Sequence, residues 1–116
     1  MRDYLLETFD HNTGKYIPVE GTEDWVGVTS LYAYDYNWEE LRAFYSPHAR
    51  RYFWLSSSGC SCDSWGDDAK PKNFENGDKA ALINAINNFA NNCSMTLRPE
   101  ESSEAIAEVK TFKEPQ

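Results

Sequence analysis

Apolar and polar residues alternate through the first half of the chain in a way that predicts β-structure. A first hairpin is expected from residues 4–9 and 16–19, because a run of turn formers separates them. The strongest strand pattern runs from Trp25 to Tyr36 and is rich in β-branched and aromatic residues. A strand of this length is expected to bend near its middle, at Gly27.

Residues 37–45 fit two patterns, since their apolar positions recur at both helical and strand spacing. The turn formers of 46–49 and the aromatic run that follows favour a second hairpin over a helix. In its second strand, alternation places Tyr52 and Trp54 on the face opposite Phe53.

Residues 79–92 are predicted to form a helix that is capped by Asn76 or Asp78. Its apolar stripe consists of Leu82, Ala85, Ile86, Phe89 and Cys93. Asparagines fill much of the rest of this segment and are poor helix formers, so packing of the stripe on the sheet must stabilise the helix. Pro99 suits the first position of a final short helix, which turns Ala105, Ile106 and Val109 inward.

These elements predict one α+β domain spanning residues 1–116. Its antiparallel sheet is built from hairpins and is covered on one face by the helix near residues 79–92, with a short C-terminal helix after it. Residues 56–76 are expected to be irregular, and such long loops in compact domains are usually functional or held by a contact.

The charge balance limits the partners of this domain. A net charge of -8 repels phosphate backbones, so direct nucleic-acid binding is not expected, whereas a basic protein partner would be attracted. With no long apolar run, no secretory signal and an odd number of cysteines, we expect a cytoplasmic protein with reduced thiols and no membrane contact. A monomer or a small homo-oligomer fits the size.

Cys60 and Cys62 lie one residue apart, directly after the aromatic strand. With Cys93 and His48 or His11 they offer the thiolate and imidazole ligands of a zinc site. Paired zinc cysteines are normally separated by two to four residues, however, and a second pair is missing. The pattern therefore favours structural thiols and no cofactor, with a zinc module as the alternative.

Two other roles for these thiols are less favoured. A nucleophilic cysteine needs a neighbouring cation or base, and the nearby Asp63, Asp67 and Asp68 would raise the thiol pKa instead. A disulfide between Cys60 and Cys62 would close a very tight loop in a compartment that keeps thiols reduced.

The acidic loop offers a candidate binding surface. Its residues are Asp63, Trp65, Asp67, Asp68 and Phe74. Trp65 either anchors in a pocket of a partner or folds back as a lid over Cys60 and Cys62. The carboxylates match neither an EF-hand nor a two-metal arrangement, and solvated side chains with a helix cap explain them.

Strand alternation also turns a second aromatic group to one face: Tyr32, Tyr34, Tyr36 and Trp38. Core packing is expected for some of these side chains. Any that remain exposed would form a protein-binding surface, because tyrosine and tryptophan are common anchors at interfaces.

The stretch Tyr52-Phe53-Trp54-Leu55-Ser56-Ser57-Ser58-Gly59-Cys60-Ser61-Cys62 resembles a family of small uncharacterised proteins from tailed bacteriophages of actinobacteria. The likeness covers about residues 36–89. It implies a phage origin and expression inside a bacterial host, and it supplies no catalytic residues. We therefore expect a non-catalytic accessory protein that binds and inhibits or modulates a host or phage protein, for example in counter-defence. The alternative is a zinc module or a metal-dependent enzyme organised by Cys60 and Cys62.

Overall fold

A computed structural model describes residues 6–62, 65–93 and 96–115. Over these residues the chain forms a two-stranded and a four-stranded antiparallel sheet with two α-helices, so the predicted α+β class is confirmed. The strands are β1 (Glu7–Asp10), β2 (Lys15–Pro18), β3 (Val26–Tyr34), β4 (Trp38–Ser46), β5 (Arg51–Gly59) and β6 (Glu75–Gly77). The helices are α1 (Lys79–Asn92) and α2 (Pro99–Thr111).

The first hairpin consists of β1 and β2, as predicted. Gly14 in its turn has a φ of 70°, a left-handed conformation that glycine adopts without a steric penalty. Residues 4 and 5 of the predicted first strand lie outside the described residues.

The larger sheet has the strand order β3-β4-β5-β6, and the predicted strands on both sides of the 46–49 turn are confirmed. The pairing of β3 with β4 shifts between Gly27 and Thr29, which is the bend expected near the middle of β3. The extra residue is Val28, and it changes the phase of the alternation. As a result Val28 is buried and does not share an exposed face with Tyr32.

Strand β5 is longer than the sequence predicts, because it continues through its three serines to Gly59. These serines pair with β4, with Ser56 opposite Leu41 and Ser58 opposite Glu39. Serine gives little strand signal of its own, so the pairing partner decides the conformation here. The predicted irregular stretch is correspondingly shorter and contains two short 3₁₀ helices before β6.

Helix α1 has the predicted boundaries, and the Asp78 carboxylate accepts a hydrogen bond from the amide of Ala81 at 2.8 Å. It packs on the sheet through Leu82 and Ile86, which are fully buried, whereas Phe89 is only half-buried. Helix α2 adds Ala105, Val109 and the following Phe112 to the same core. The helix-side core also contains Leu31, Leu41, Ala43, Tyr45, Tyr52 and Trp54 from the sheet.

A second core lies on the opposite face of the sheet. Its buried residues are Leu6, Trp25, Trp38, Phe44, Trp65, Ala69 and Phe74. Trp25 stacks on Phe53 with ring centroids 4.5 Å apart, and Phe74 meets Trp25 edge-on. The loop between β5 and β6 therefore covers one half of this face.

Side-chain hydrogen bonds anchor the sheet near the turn between β4 and β5. The Tyr52 hydroxyl donates to the Glu114 carboxylate at 2.6 Å, and burial together with this carboxylate raises the pKa of Tyr52. Asp24 accepts hydrogen bonds from the Ser46 hydroxyl and the His48 amide. Burial alone would raise the pKa of Asp24, but these hydrogen bonds outweigh it and hold the pKa below its usual value.

Gly77, where β6 meets α1, is expected to tolerate no side chain. A Cβ built there lies 2.8 Å from the Cβ of Ala81 and 3.3 Å from the Trp54 ring. Gly77→Ala should lower the free energy of unfolding by about 1–3 kcal/mol through overpacking, measured by chemical denaturation. Gly66→Ala is the control, because a Cβ at Gly66 meets nothing within 4 Å. Equal stability of the two variants would contradict the close packing of β6 against α1.

Candidate functional site

The aromatic residues predicted for the binding loop are buried. Trp65 and Phe74 are 2% and 8% exposed, and their ring centroids lie 5.9 Å apart. The Trp65 indole donates to the carbonyl of Leu55 at 3.0 Å. The Arg42 guanidinium lies 4.6 Å from the Trp65 ring centroid. The prediction of an exposed anchor is therefore wrong, and Trp65 folds inward to complete the second core.

The acidic residues of the predicted surface are described only in part. Asp63 lies outside the described residues. The backbone of Asp67 and Asp68 belongs to the 3₁₀ helix Trp65–Asp68, and their side chains are not described. Their role in binding stays a prediction.

Cys60 and Cys62 are joined by a disulfide, contrary to the expectation of reduced thiols. Their Cα atoms are 5.4 Å apart, inside the range that a disulfide spans, because the chain turns directly after β5. The Cys60 carbonyl also accepts a hydrogen bond from the Trp38 indole at 2.8 Å, which fixes this turn to β4.

The other expected zinc ligands are not brought to this turn as a set. His48 lies in the turn before β5 and Cys60 follows the end of β5, so nine strand residues separate them by roughly 30 Å. Cys93 is half-buried at the end of α1. Among the residues that the structure describes, no group of three or more His, Cys, Asp or Glu side chains is placed to hold a metal ion.

Three exposed aromatic residues lie elsewhere, at the end of β3 and in the turn that follows it. Tyr32, Tyr34 and Tyr36, which we call the tyrosine surface, are 47%, 58% and 89% exposed. The rings of Tyr32 and Tyr34 are stacked, with an interplanar angle of 10° and centroids 6.3 Å apart. Trp38, the fourth aromatic residue predicted for this face, is buried in the second core.

The sheet topology explains why these tyrosines are exposed. Tyr32 is paired with Glu40 on β4, on the face that also carries the second core. Tyr32 and Tyr34 lie on β3, which is the edge strand of the sheet, whereas the loop between β5 and β6 packs around Phe44 and Phe53 on the neighbouring strands β4 and β5. Glu40 accepts a hydrogen bond from Arg42 at 2.6 Å, and Asp35 lies in the turn after β3.

Comparison of the chain with protein-family models, with curated proteins and with solved structures gives no match. Within the described part of the chain, no helix has the length and apolar character that crossing a lipid bilayer requires. A functional assignment therefore has to start from the geometry of the surface itself.

Proposed function

We propose that this protein is a non-catalytic binding protein that engages another protein through the tyrosine surface. In this proposal it is a bacteriophage accessory protein and its partner is a host or phage protein that it inhibits or modulates. The observation that carries the binding role is a stacked pair of exposed tyrosines, Tyr32 and Tyr34, on one sheet face, with the exposed Tyr36 in the turn that follows.

Exposed apolar groups are common, but a contiguous group of large ones is a feature of binding sites. Tyrosine adds contact area with only two side-chain torsions and keeps a hydroxyl for a hydrogen bond, so it loses little entropy on binding. The stack of Tyr32 on Tyr34 further restricts the two rings before a partner arrives.

The surrounding charge favours a basic partner. The whole chain carries a net charge of -8, and Asp35 lies between Tyr34 and Tyr36 in the chain. Glu40, opposite Tyr32, is paired with Arg42 and adds little net charge. Long-range attraction of this kind increases the association rate, and added salt weakens it. The same charge opposes nucleic acid as the ligand of these stacked rings.

A capture experiment tests the proposal. Tagged protein is incubated with lysate of an actinobacterial host, and captured proteins are quantified for the wild type and for the combined variant Tyr32→Ser, Tyr34→Ser and Tyr36→Ser. Removal of three central anchors should reduce capture of a specific partner by about tenfold or more. The control is Tyr16→Ser, because Tyr16 is an exposed tyrosine on β2, outside the tyrosine surface.

Two outcomes would contradict the proposal. One is a partner that the combined variant retains as well as the control does. The other is a wild-type protein that light scattering shows to be a dimer, when Tyr16→Ser is also a dimer and the combined variant is a monomer. In that case the tyrosine surface joins two copies of this chain.

A further inference from the structure

A cleft of about 530 Å³ lies on the helix-bearing side of the sheet, away from the tyrosine surface. Helix α1 forms one wall, and strands β4, β5 and β6 form the other. The polar side chains that line it are Glu39, Ser56, Glu75, Asn84, Asn88 and Asn92.

The chemistry of this lining selects for a cation. Two carboxylates, three carboxamides and one hydroxyl supply many hydrogen-bond acceptors. Among the described residues that line the cleft there is no lysine, arginine or histidine. A ligand with several N–H donors and positive charge, as ammonium groups have, complements the carboxylates and carbonyl oxygens of this lining.

Helix propensity does not explain the three asparagines. Asn84, Asn88 and Asn92 are spaced four residues apart and so form one stripe along α1. Asparagine is a poorer helix former than alanine, and α1 is stabilised by its buried stripe on the sheet. The Asn92 side-chain amide donates to the Asn88 carbonyl at 2.9 Å. A polar ligand in the cleft would give the Asn84 and Asn88 amides a role that the fold does not require.

The two acidic residues of the cleft lie far apart in the sheet. Glu39 is paired with Ser58 and Glu75 with Trp54, so the two acidic residues are four residues apart along β5 and two strands apart across the sheet. This spacing puts their backbones roughly 16 Å apart. The Asn84–Asn92 stripe extends about 12 Å along the helix in between.

Apolar groups occupy the space between the polar ones. Leu41, Trp54 and Phe89 line the same cleft and would contact a methylene chain. The Trp54 indole donates to the Glu75 carboxylate at 3.1 Å, which helps to hold that carboxylate at its end of the cleft. Carboxylates at the ends with apolar groups between them match charged amines joined by methylene segments.

We propose that this cleft binds a linear aliphatic polyamine. Glu39 and Glu75 hold ammonium groups near the two ends, and the asparagine amides accept from the amines in between. This site is separate from the tyrosine surface, so its failure would leave the proposed protein-binding role untouched.

Titration calorimetry with spermine, spermidine and putrescine at about 0.15 M salt tests the proposal, since screening at that ionic strength suppresses diffuse attraction. Spermine should bind with one site per chain and more tightly than putrescine, which is too short to reach both carboxylates. Glu39→Gln combined with Glu75→Gln should raise the Kd for spermine by about tenfold or more, because charge-assisted hydrogen bonds are lost.

Two matched controls separate this site from general attraction to an acidic protein. Glu20→Gln with Glu104→Gln removes the same charge outside the cleft, and it should leave the Kd for spermine within about twofold. Asn84→Ala with Asn88→Ala should raise the Kd by about threefold or more, while Asn87→Ala with Asn91→Ala on the same helix should not.

Three results would overturn the proposal. The first is the absence of saturable spermine binding to the folded wild-type protein. The second is an equal loss of affinity in the Glu20 and Glu104 control, which would mean binding to net charge. The third is tighter binding of a tetralysine peptide than of spermine, which would assign the cleft to an extended basic peptide.

Discussion

Trp65→Ala is expected to lower the free energy of unfolding by about 3–5 kcal/mol, the range for truncating a buried large aromatic residue. The side chain is almost fully buried against Phe44 and Phe74, and its indole satisfies the carbonyl of Leu55. The substitution removes this packing, leaves a cavity and takes away the hydrogen bond. Urea denaturation followed by circular dichroism measures the change.

Two further variants make this result specific. Trp65→Phe keeps most of the packing and loses the hydrogen bond, so it should be destabilised by only about 1–2 kcal/mol and remain measurable if the alanine variant does not fold. Tyr36→Ala truncates a highly exposed aromatic residue and should change stability by less than about 0.5 kcal/mol. If Trp65→Ala resembled Tyr36→Ala, the loop between β5 and β6 would not pack on the sheet.

Leu82→Ala should lower the free energy of unfolding by about 2–5 kcal/mol. Leu82 is completely buried where α1 meets the sheet, and it lies in one core cluster with Ile86 and Tyr52. Since the net stability of a domain this size is about 5–15 kcal/mol, the loss is a large fraction of the total. The midpoint of chemical denaturation is the measurement.

Asn87→Ala is the matched control on the same helix. Asn87 is exposed, and alanine is the better helix former, so this variant should be neutral or slightly more stable. Phe89→Ala is expected to cost less than truncation of a fully buried phenylalanine, because Phe89 is only half-buried beside the cleft. If the Leu82→Ala variant were as stable as the wild type, another face of α1 would have to pack on the sheet.

The elements that the sequence determined by itself are those with local signals. Helix α1 begins and ends where the apolar stripe and the Asp78 cap predict. The strands of the central hairpins follow from alternation together with the turn formers of residues 46–49, and alternation predicts the opposite faces of Tyr52 and Phe53. Each of these features depends on residues that are close together in the sequence, within one or two helical turns or a few strand positions. A single sequence therefore contains enough information to predict them.

Only the tertiary structure decided which aromatic residues are buried and which are exposed. The sequence allowed Trp65 to be an exposed anchor for a protein partner. In the structure, the loop that carries Trp65 folds onto Phe44, a residue 21 positions earlier in the chain. Tyr32 and Tyr34 are exposed because they lie on the edge strand β3, whereas this loop packs over β4 and β5 on the same face of the sheet. The serine segment of β5 and the pairing of Cys60 with Cys62 likewise depend on where β4 and the following turn lie. Burial is the sum of such contacts between distant parts of the chain, and local patterns do not contain them.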